Sequence, residues 1–382
     1  MLFCLLLFWL SVAAIWYTYL GYPLFMALAA RIWAHPWCPA DITPSVTIVI
    51  AAYNEGQGIV DQVRSVLSSD YPADRLSVLV ITDGSNDASP TALDALAQED
   101  KRVLHTHEPE RRGKAHALAR ATHLARGEVL VFSDANCRFH DDTVRRLVRH
   151  FADTCIGAVG GAKRVKSDGS VAAQGEGLYW RYESFLKRCD STVSSVMGVP
   201  GEVWASRRET YVPAETDSII EDFVASLRIV QAGWRVVYEP DAVALEPPSP
   251  SLRAEWGRRT RMAAGGWQSS FRLRGLLRHP NRWIPFQYLS HRMLHWLVTP
   301  TLFVVALVTN VCLATQPFYG YLLTLQALFY MLAALGWVLA RRGVRVWGML
   351  VPFYVVMLNA AALVGGIRYL LGRQSAVWAK VR

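Results

Sequence analysis

Residues 46–56 read VTIVIAAYNEG, a short run rich in Val and Ile that stops at a tyrosine, an asparagine and a glutamate. A β-branched apolar run of this length, closed by turn-forming residues, reads as a strand buried on both faces. Residues 76–82 (LSVLVIT) repeat the theme and end in Asp83-Gly84-Ser85-Asn86-Asp87. Residues 129–133 (VLVFS) do so again and end in Asp134-Ala135-Asn136. Helical patterns follow the first two runs. Continuous apolar strands alternating with helices predict an α/β fold around a mostly parallel sheet. Ligands of such sheets bind outside the carboxyl ends of the strands, and here all three ends are polar or acidic.

On either side of this polar stretch, about 40–285, the chain turns apolar. Apolar residues make up 52% of the 382 positions, with 14 Trp. Residues 1–33 are almost uncharged and end near Arg31, and further apolar runs cover 293–313, 317–340 and 347–370. Each is about long enough for a hydrocarbon core, which takes roughly 20 residues in a helix. The expected plan is a transmembrane segment over 1–36, a cytosolic domain over 40–285, a transmembrane bundle over 288–372 and a basic tail over 373–382. The first run lacks a basic n-region and outruns a signal h-region, so it reads as a retained span. Pro352, Asn359 and Gly365-Gly366 offer break points that would fold the last run into a re-entrant hairpin, which leaves the side of the tail open.

The six Cys (4, 38, 137, 155, 189, 312) form no CxxC pair, so neither a disulfide framework nor a zinc site is expected. The net charge of +9 raises nucleic acid as a partner. Its arginines crowd the borders of the apolar runs instead, at Arg278, Arg282, Arg292, Arg341, Arg342, Arg345, Arg368 and Arg373. Cytoplasmic flanks and lipid headgroups account for that placement, and nucleic acid does not. Residues 178–188 and 252–267 are amphipathic, with basic faces; packing on the domain and lying in the membrane interface are both open for them.

Among motifs that carry chemistry, Gly113-Lys114 lacks the upstream glycine of a P-loop, and Gly56-x-Gly58 lacks the third glycine of a dinucleotide fingerprint. His116 and His123 have no partner at metal-ligand spacing. What remains is acidic residues at strand ends. Asp83 alone would be a turn former and Asp134 alone a helix cap. With Asn54, Glu55 and Lys114 they make an oxygen-rich pocket that suits a divalent cation and a diphosphate. Glu221 and Asp222 lie in an expected helix over 217–231, where acidic residues near a positive helix end account for Glu221 and a general base for Asp222. Arg258, Arg259 and Arg261 follow, and guanidinium forks suit phosphates.

In order, VTIVIAAYNE (46–55), TDGS (82–85), RGKAHAL (112–118), SDAN (133–136), GVPGEVWASRR (198–208), IED (220–222) and RRTRM (258–262) resemble the inverting family 2 glycosyltransferases. Within that family they are similar to the membrane-embedded group of cellulose, hyaluronan and poly-N-acetylglucosamine synthases. The resemblance implies a GT-A (Rossmann-like) domain with transmembrane helices on both sides, in the cell (plasma or inner) membrane. It implies that Ala52, Tyr53, Glu55 and Asp83 hold the uridine end of a UDP-sugar donor, near Lys114. Asp134 and Asn136 would bind Mn2+ or Mg2+ beside the diphosphate, with Arg258, Arg259 and Arg261 around it. Asp222 would be the base, and Gly198, Gly201, Trp204, Glu221 and Met262 would line the acceptor site.

Two motifs depart from the family pattern, and the second, Gln-x-x-Arg-Trp, reads Arg258-Arg259-Thr260-Arg261-Met262, with its Arg kept and its Gln and Trp lost. Asn136 stands where a second carboxylate is usual, and Met262 stands where processive members carry a Trp under the acceptor sugar. The motif layout favours growth of a β-linked polysaccharide, with export as a coupled step. The missing Trp and the four spans favour its alternative, transfer of one sugar to a lipid acceptor. Trp204 and Trp267 are candidates to replace the lost platform.

Overall fold

The protein is described by a computed structural model covering residues 1–166, 169–344 and 346–377. Arg345 and positions 378–382 of the expected tail lie outside the described residues. In chain order the elements are α1 (Leu2–Trp16), α2 (Tyr22–Ile32), β1 (Val46–Ala52), α3 (Gly58–Leu67), β2 (Leu76–Asp83), α4 (Ser89–Glu99), β3 (Val103–Glu108) and α5 (Lys114–Leu124). Then come β4 (Val129–Asp134), β5 (Arg138–Phe139), α6 (Thr143–Val148), β6 (Ile156–Val165), α7 (Val171–Val193), β7 (Val203–Arg207), α8 (Glu221–Gln231), β8 (Arg235–Glu246) and α9 (Leu252–Arg272). The chain ends in α10 (Trp283–Gln287), α11 (Thr299–Leu313), α12 (Pro317–Arg341) and α13 (Trp347–Leu370). π-helical segments, Tyr17–Gly21 and Tyr288–Val298, join α1 to α2 and α10 to α11.

The eight strands form one sheet in the order β3-β2-β1-β4-β7-β6-β8-β5. The first four neighbours are parallel, as the three apolar runs predict, whereas β7 is antiparallel to both β4 and β6. Both faces are covered. Ile48 and Ile50 point into one core with Ile59 and Val63 of α3, and Val49 points into the other with Leu118 of α5 and Phe132. This double burial is why these strands carry apolar residues at successive positions instead of alternating with polar ones. The register sets Ala51 beside Asp134 and Ala52 beside Thr82, so the polar strand ends finish level with one another.

Among the described residues, four helical stretches are long and apolar enough to cross a membrane: Leu2–Ile32, Trp283–Leu313, Pro317–Arg341 and Trp347–Leu370. The last is one unbroken helix, not a hairpin. Its suspected break points serve packing instead. Asn359 donates to Tyr19 Oη at 2.7 Å and to Val355 O at 2.8 Å. A Cβ at Gly365 would lie 2.4 Å from Thr260 O, so the Gly365-Gly366 pair lets α13 press directly onto α9.

The two amphipathic stretches turn their polar residues inward. Glu176, Glu183, Lys187 and Asp190 of α7 are buried, as are Glu255, Arg259, Thr260 and Gln268 of α9. A helix lying in a membrane interface buries its apolar face, so both stretches are packed elements of the domain. Asp190 accepts from Tyr22 Oη and pairs with His291 Nδ1, both at 2.6 Å. Arg292 donates to Glu183 and to Met197 O, both at 2.5 Å. This buried network fastens the globular domain to the first two apolar stretches, and removing one partner would leave an uncompensated buried charge.

Candidate active site

The loops after β1 and β2 are stitched together. Asn54, in the left-handed region at φ 52°, exchanges two 2.9 Å hydrogen bonds with Asn86. Its own N–H donates to Ser85 Oγ at 3.1 Å, and Gly56 N–H donates to Asp87 Oδ2 and Ser89 Oγ. Tyr53 and Glu55 sit in this loop, beyond the buried strand residue Ala52. The Arg111 guanidinium lies 3.7 Å over the Tyr53 ring, a stacked arrangement that arginine favours on aromatic faces. Asp83 accepts from the N–H groups of Arg112 and Gly113 at 2.8 and 2.7 Å. Gly113 has φ 97°, open to glycine at no steric cost. Asp83 thereby fixes the turn that delivers Lys114 to the first position of α5.

Lys114 is the centre of the site. Its Nζ donates to Asp134 Oδ1 at 2.6 Å and pairs with Glu221 Oε1 at 2.9 Å. Strand β4 supplies Asp134, and α8 supplies Glu221 and Asp222 from its first turn. That helix begins at Glu221, four residues later than the expected 217, which places both carboxylates where unpaired backbone N–H groups favour negative charge. Gly201 closes the other side: a Cβ there would lie 3.0 Å from Asp222 Oδ2 and 3.3 Å from Lys114 Nζ. Gly198 is packed as closely on the ring of Phe223.

These neighbours separate the two acids. Burial and the adjacent Glu221 charge push the Asp222 carboxyl up to about 7, against the pull of Lys114. Burial also disfavours the Glu221 charge, but Lys114 outweighs it and holds this carboxyl below its ordinary range. Desolvation disfavours the charge of the half-buried Lys114, but Asp134, Glu221 and Asp222 together hold its pKa well above the usual lysine value. Two acids on one turn, one kept ionised and one poised near neutrality, are what general base catalysis needs.

The arginines of α9 are occupied by carboxylates. Arg258 pairs with Glu176 and with Glu255, the latter at 2.8 Å, and lies 3.9 Å from Glu246. Arg259 pairs with Glu255 at 2.6 Å and lies 3.9 Å over the Tyr179 ring. Arg261 donates to Ile219 O at 2.9 Å, two residues before Glu221. Met262 is half-buried on the same helix. Trp204, expected at the acceptor site, is instead a core residue. It is 1% exposed and stacks on Phe132 at 4.3 Å, because β7 pairs with β4 and sets the two residues side by side. Trp267 is half-buried, and a Cβ at Gly366 would lie 2.7 Å from its Nε1, so its indole N–H edge is packed on α13.

Sequence reasoning missed a second charged group beside Asn136. Its Nδ2 lies 3.4 Å from Glu246 Oε1, and Glu246 shares Lys163 with Glu202. Burial disfavours the Glu202 charge, yet Lys163 brings this carboxyl down to about 2. Glu246 sits at the end of β8, and no local pattern links it to residue 136. Among the described residues no three His, Cys, Asp or Glu side chains form a metal cluster. Asp134 and Asn136 still present the oxygen donors a hard cation prefers, and such an ion commonly takes one or two protein ligands plus substrate phosphates. The donor set therefore fits Mn2+ or Mg2+.

Known proteins share this domain. Residues 47–211 match the Glycosyl transferase family 2 domain. The chain carries a family 2 glycosyltransferase domain. That segment runs from β1 through β7 and includes the strand ends, Lys114 and Gly201. Over 231 residues the chain is 26% identical to a poly-beta-1,6-N-acetyl-D-glucosamine synthase of Staphylococcus aureus, covering 59% of this chain and 55% of that protein. It is 25% identical to a beta-monoglucosyldiacylglycerol synthase of Synechocystis, covering 59% and 48%. The chain thus spans about half the length of these curated relatives. Among solved structures, a mannosyltransferase from Pyrobaculum calidifontis, in complex with GDP-Man and Mn2+, superposes with a TM-score of 0.75 at 24% identity. The match covers 96% of this chain and all of the other, so the GT-A-like glycosyltransferase fold and the four apolar helices belong to one shared architecture.

Proposed function

We propose that the protein is an inverting glycosyltransferase of the membrane, which moves one sugar from a nucleoside diphosphate donor to the hydroxyl of a lipid-borne acceptor. The observation that carries this reading is the Lys114–Asp134–Glu221–Asp222 constellation, built from the end of β4 and the first turns of α5 and α8. Asp222 takes the acceptor proton, the acceptor oxygen bonds to the anomeric carbon, and the bond to the diphosphate breaks as it leaves. One displacement turns an α-linked donor into a β-glycoside. Lys114 holds Glu221 ionised, and Glu221 in turn keeps Asp222 basic enough to accept a proton near neutral pH. Asp134 and Asn136 supply oxygen ligands for a Mn2+ or Mg2+ ion, whose Lewis acidity offsets charge on the leaving diphosphate.

The family resemblance makes UDP-sugars the first donors to test, and the GDP-Man of the archaeal structure makes guanosine donors the second. The four apolar helices support an integral membrane protein, and Arg278 and Arg282, on the domain side of the second stretch, favour a cytosolic domain. A single transfer is preferred over the polymer expected from the motif layout because neither aromatic candidate is free. Trp204 lies in the core, Trp267 is against α13, and residue 262 is Met, which offers no flat face. A polysaccharide synthase is the second reading, favoured by the similarity to the staphylococcal polymer synthase. Incubating the purified full chain, in nanodiscs carrying lipid acceptors, with radiolabelled UDP- and GDP-sugars separates the two. Monoglycosylated lipid is the expected product. Long water-soluble chains would install the second reading, and no transfer from any donor would overturn both.

A further inference from the structure

Between the first apolar helix and α11–α12 lies a cavity of about 460 Å³, within the size range of ligand pockets. Its walls include Trp9, Trp16, Tyr19, Phe303, Asn310 and Gln326. Trp9 Nε1 donates to Tyr319 Oη at 3.0 Å and its ring stacks on Phe318, which ties the first helix to α12 beside the cavity. At the end near the globular domain the first helix passes into its π-helical segment, directly beside the second one. Tyr17 Oη and Ser290 Oγ are 2.9 Å apart, and the hydroxyls of Thr18 and Thr299 are 3.0 Å apart. π-helical turns widen a helix and cluster at functional sites.

We infer that this cavity holds the hydrocarbon tail of the lipid acceptor, which presents its headgroup hydroxyl to Asp222. The inference rests on the lipid-acceptor reading above. Three features single out this occupant. The walls are mostly apolar, which suits a hydrocarbon and not a sugar chain. The two polar side chains Asn310 and Gln326, 3.1 Å apart with Asn310 almost fully buried, face one another at membrane depth. Polar groups there are expensive and mark specific sites, whereas a groove for bulk lipid needs none. Finally, the near end connects to the base. Tyr19 packs edge-on against His295 at 5.1 Å, and the next residue, Trp296, packs edge-on against Phe223 at 5.0 Å, one position after Asp222. A headgroup above Tyr19 is therefore beside the wall that carries the base.

The test uses the full chain in phosphatidylcholine nanodiscs with three diazirine-tailed probes: a diacylglycerol, an isoprenyl alcohol and phosphatidylcholine itself. Cross-linked peptides mapped by mass spectrometry should contain the walls around Phe303, Ala306 and Leu322. One of the two acceptor-type probes should label them at least fivefold more than phosphatidylcholine does, and its unlabelled form should compete. Ala306→Phe and Leu322→Trp, which fill the cavity from opposite walls, should raise KM for the accepted long-tailed lipid about tenfold. kcat, UDP affinity and KM for a short-tailed analogue should stay unchanged. Labelling no stronger than bulk lipid in the unmodified protein overturns the inference whether or not the variants fold. Glycosylated lipid formed with the cavity unlabelled sinks the inference alone, whereas absence of any glycosylated lipid sinks the reading beneath it.

Discussion

The proposed donor and acceptor sides of the site are built differently. On the donor side, consecutive strands end in loops that hold one another: Asn54 with Asn86, Asp83 with the turn before Lys114. On the proposed acceptor side, the buried Arg258–Glu176 pair joins α9 to α7, Arg261 ties α9 to the stretch before α8 through Ile219 O, and α13 presses on α9. Lys114 is the joint, with Asp134 from one side and Glu221 from the other. The contrast implies that donor binding tolerates changes on α8 and α9, while the chemistry does not tolerate changes at the joint.

Asp222→Asn is the severest test of that division. An amide cannot accept the proton, so kcat should fall on the order of 100- to 10,000-fold. UDP affinity measured by calorimetry should stay within a few-fold, because Asp222 lies across the joint from the donor loops. Residual activity close to that of the unaltered protein would remove Asp222 as base. A large loss of UDP binding would erase the division between the sides.

The next effect falls on the joint itself. With Mn2+ present, Asp134→Ala should weaken UDP binding on the order of tenfold or more, since a metal ligand is gone. With EDTA present the sign should reverse. Lys114 loses a carboxylate partner in this variant and becomes available to the diphosphate, so UDP should bind the variant at least as well as the unaltered protein. Equal affinities with and without metal in the unaltered protein would refute a metal bridge. Asn136→Asp should tighten metal binding if the amide oxygen is a ligand.

The pH profile probes the acid pair more gently. Asp222 must be deprotonated to act, so kcat should climb as pH rises to about 7 and level off above it. Glu221 is the largest raising influence on Asp222 after burial. Glu221→Gln should therefore shift the rising limb towards acid by on the order of one pH unit. A limb that does not move would mean that another group titrates.

The donor side was legible because its information is local. A β-branched run, a polar stop and a helix specify where residues 52–55, 83 and 134 go, and parallel pairing sets them level. The acceptor side was only half legible. Asp222 and Gly201 could be read from short motifs, but the fate of Trp204 depends on β7 entering the sheet antiparallel between β4 and β6. Nothing near residue 204 announces that reversal, since an apolar residue in a strand reads the same whether it faces a core or a cleft. Glu246 and Glu176 went unnoticed for a similar reason: each meets its partner, Asn136 or Arg258, across more than 80 residues. The glycines of α13 looked like a break because the helix that requires them, α9, lies far away in sequence.

The smallest expected effect concerns how firmly those distant carboxylates hold the arginines. Burial and the neighbouring Glu255 push the Glu176 carboxyl up to about 7, although Arg258 pulls the other way. Near neutral pH it is therefore part protonated, and its grip on Arg258 varies with pH. Arg258 lies 3.9 Å from Glu246, whose other oxygen is 3.4 Å from the Asn136 amide, so the guanidinium is two contacts away from the proposed diphosphate position. Glu176→Gln removes one of the charges restraining it and leaves Glu255 in place. At about pH 8, where Glu176 is mostly ionised, the variant should bind UDP roughly two- to fivefold more tightly than the unaltered protein, the scale of one loosened and partly screened ion pair. At about pH 6 the unaltered residue is itself neutral, and the advantage should vanish. A weaker affinity in the variant at both pH values would mean that Glu176 aims Arg258 at the donor instead of restraining it, and the two sides of the site would then be less separate than the ion pairs imply.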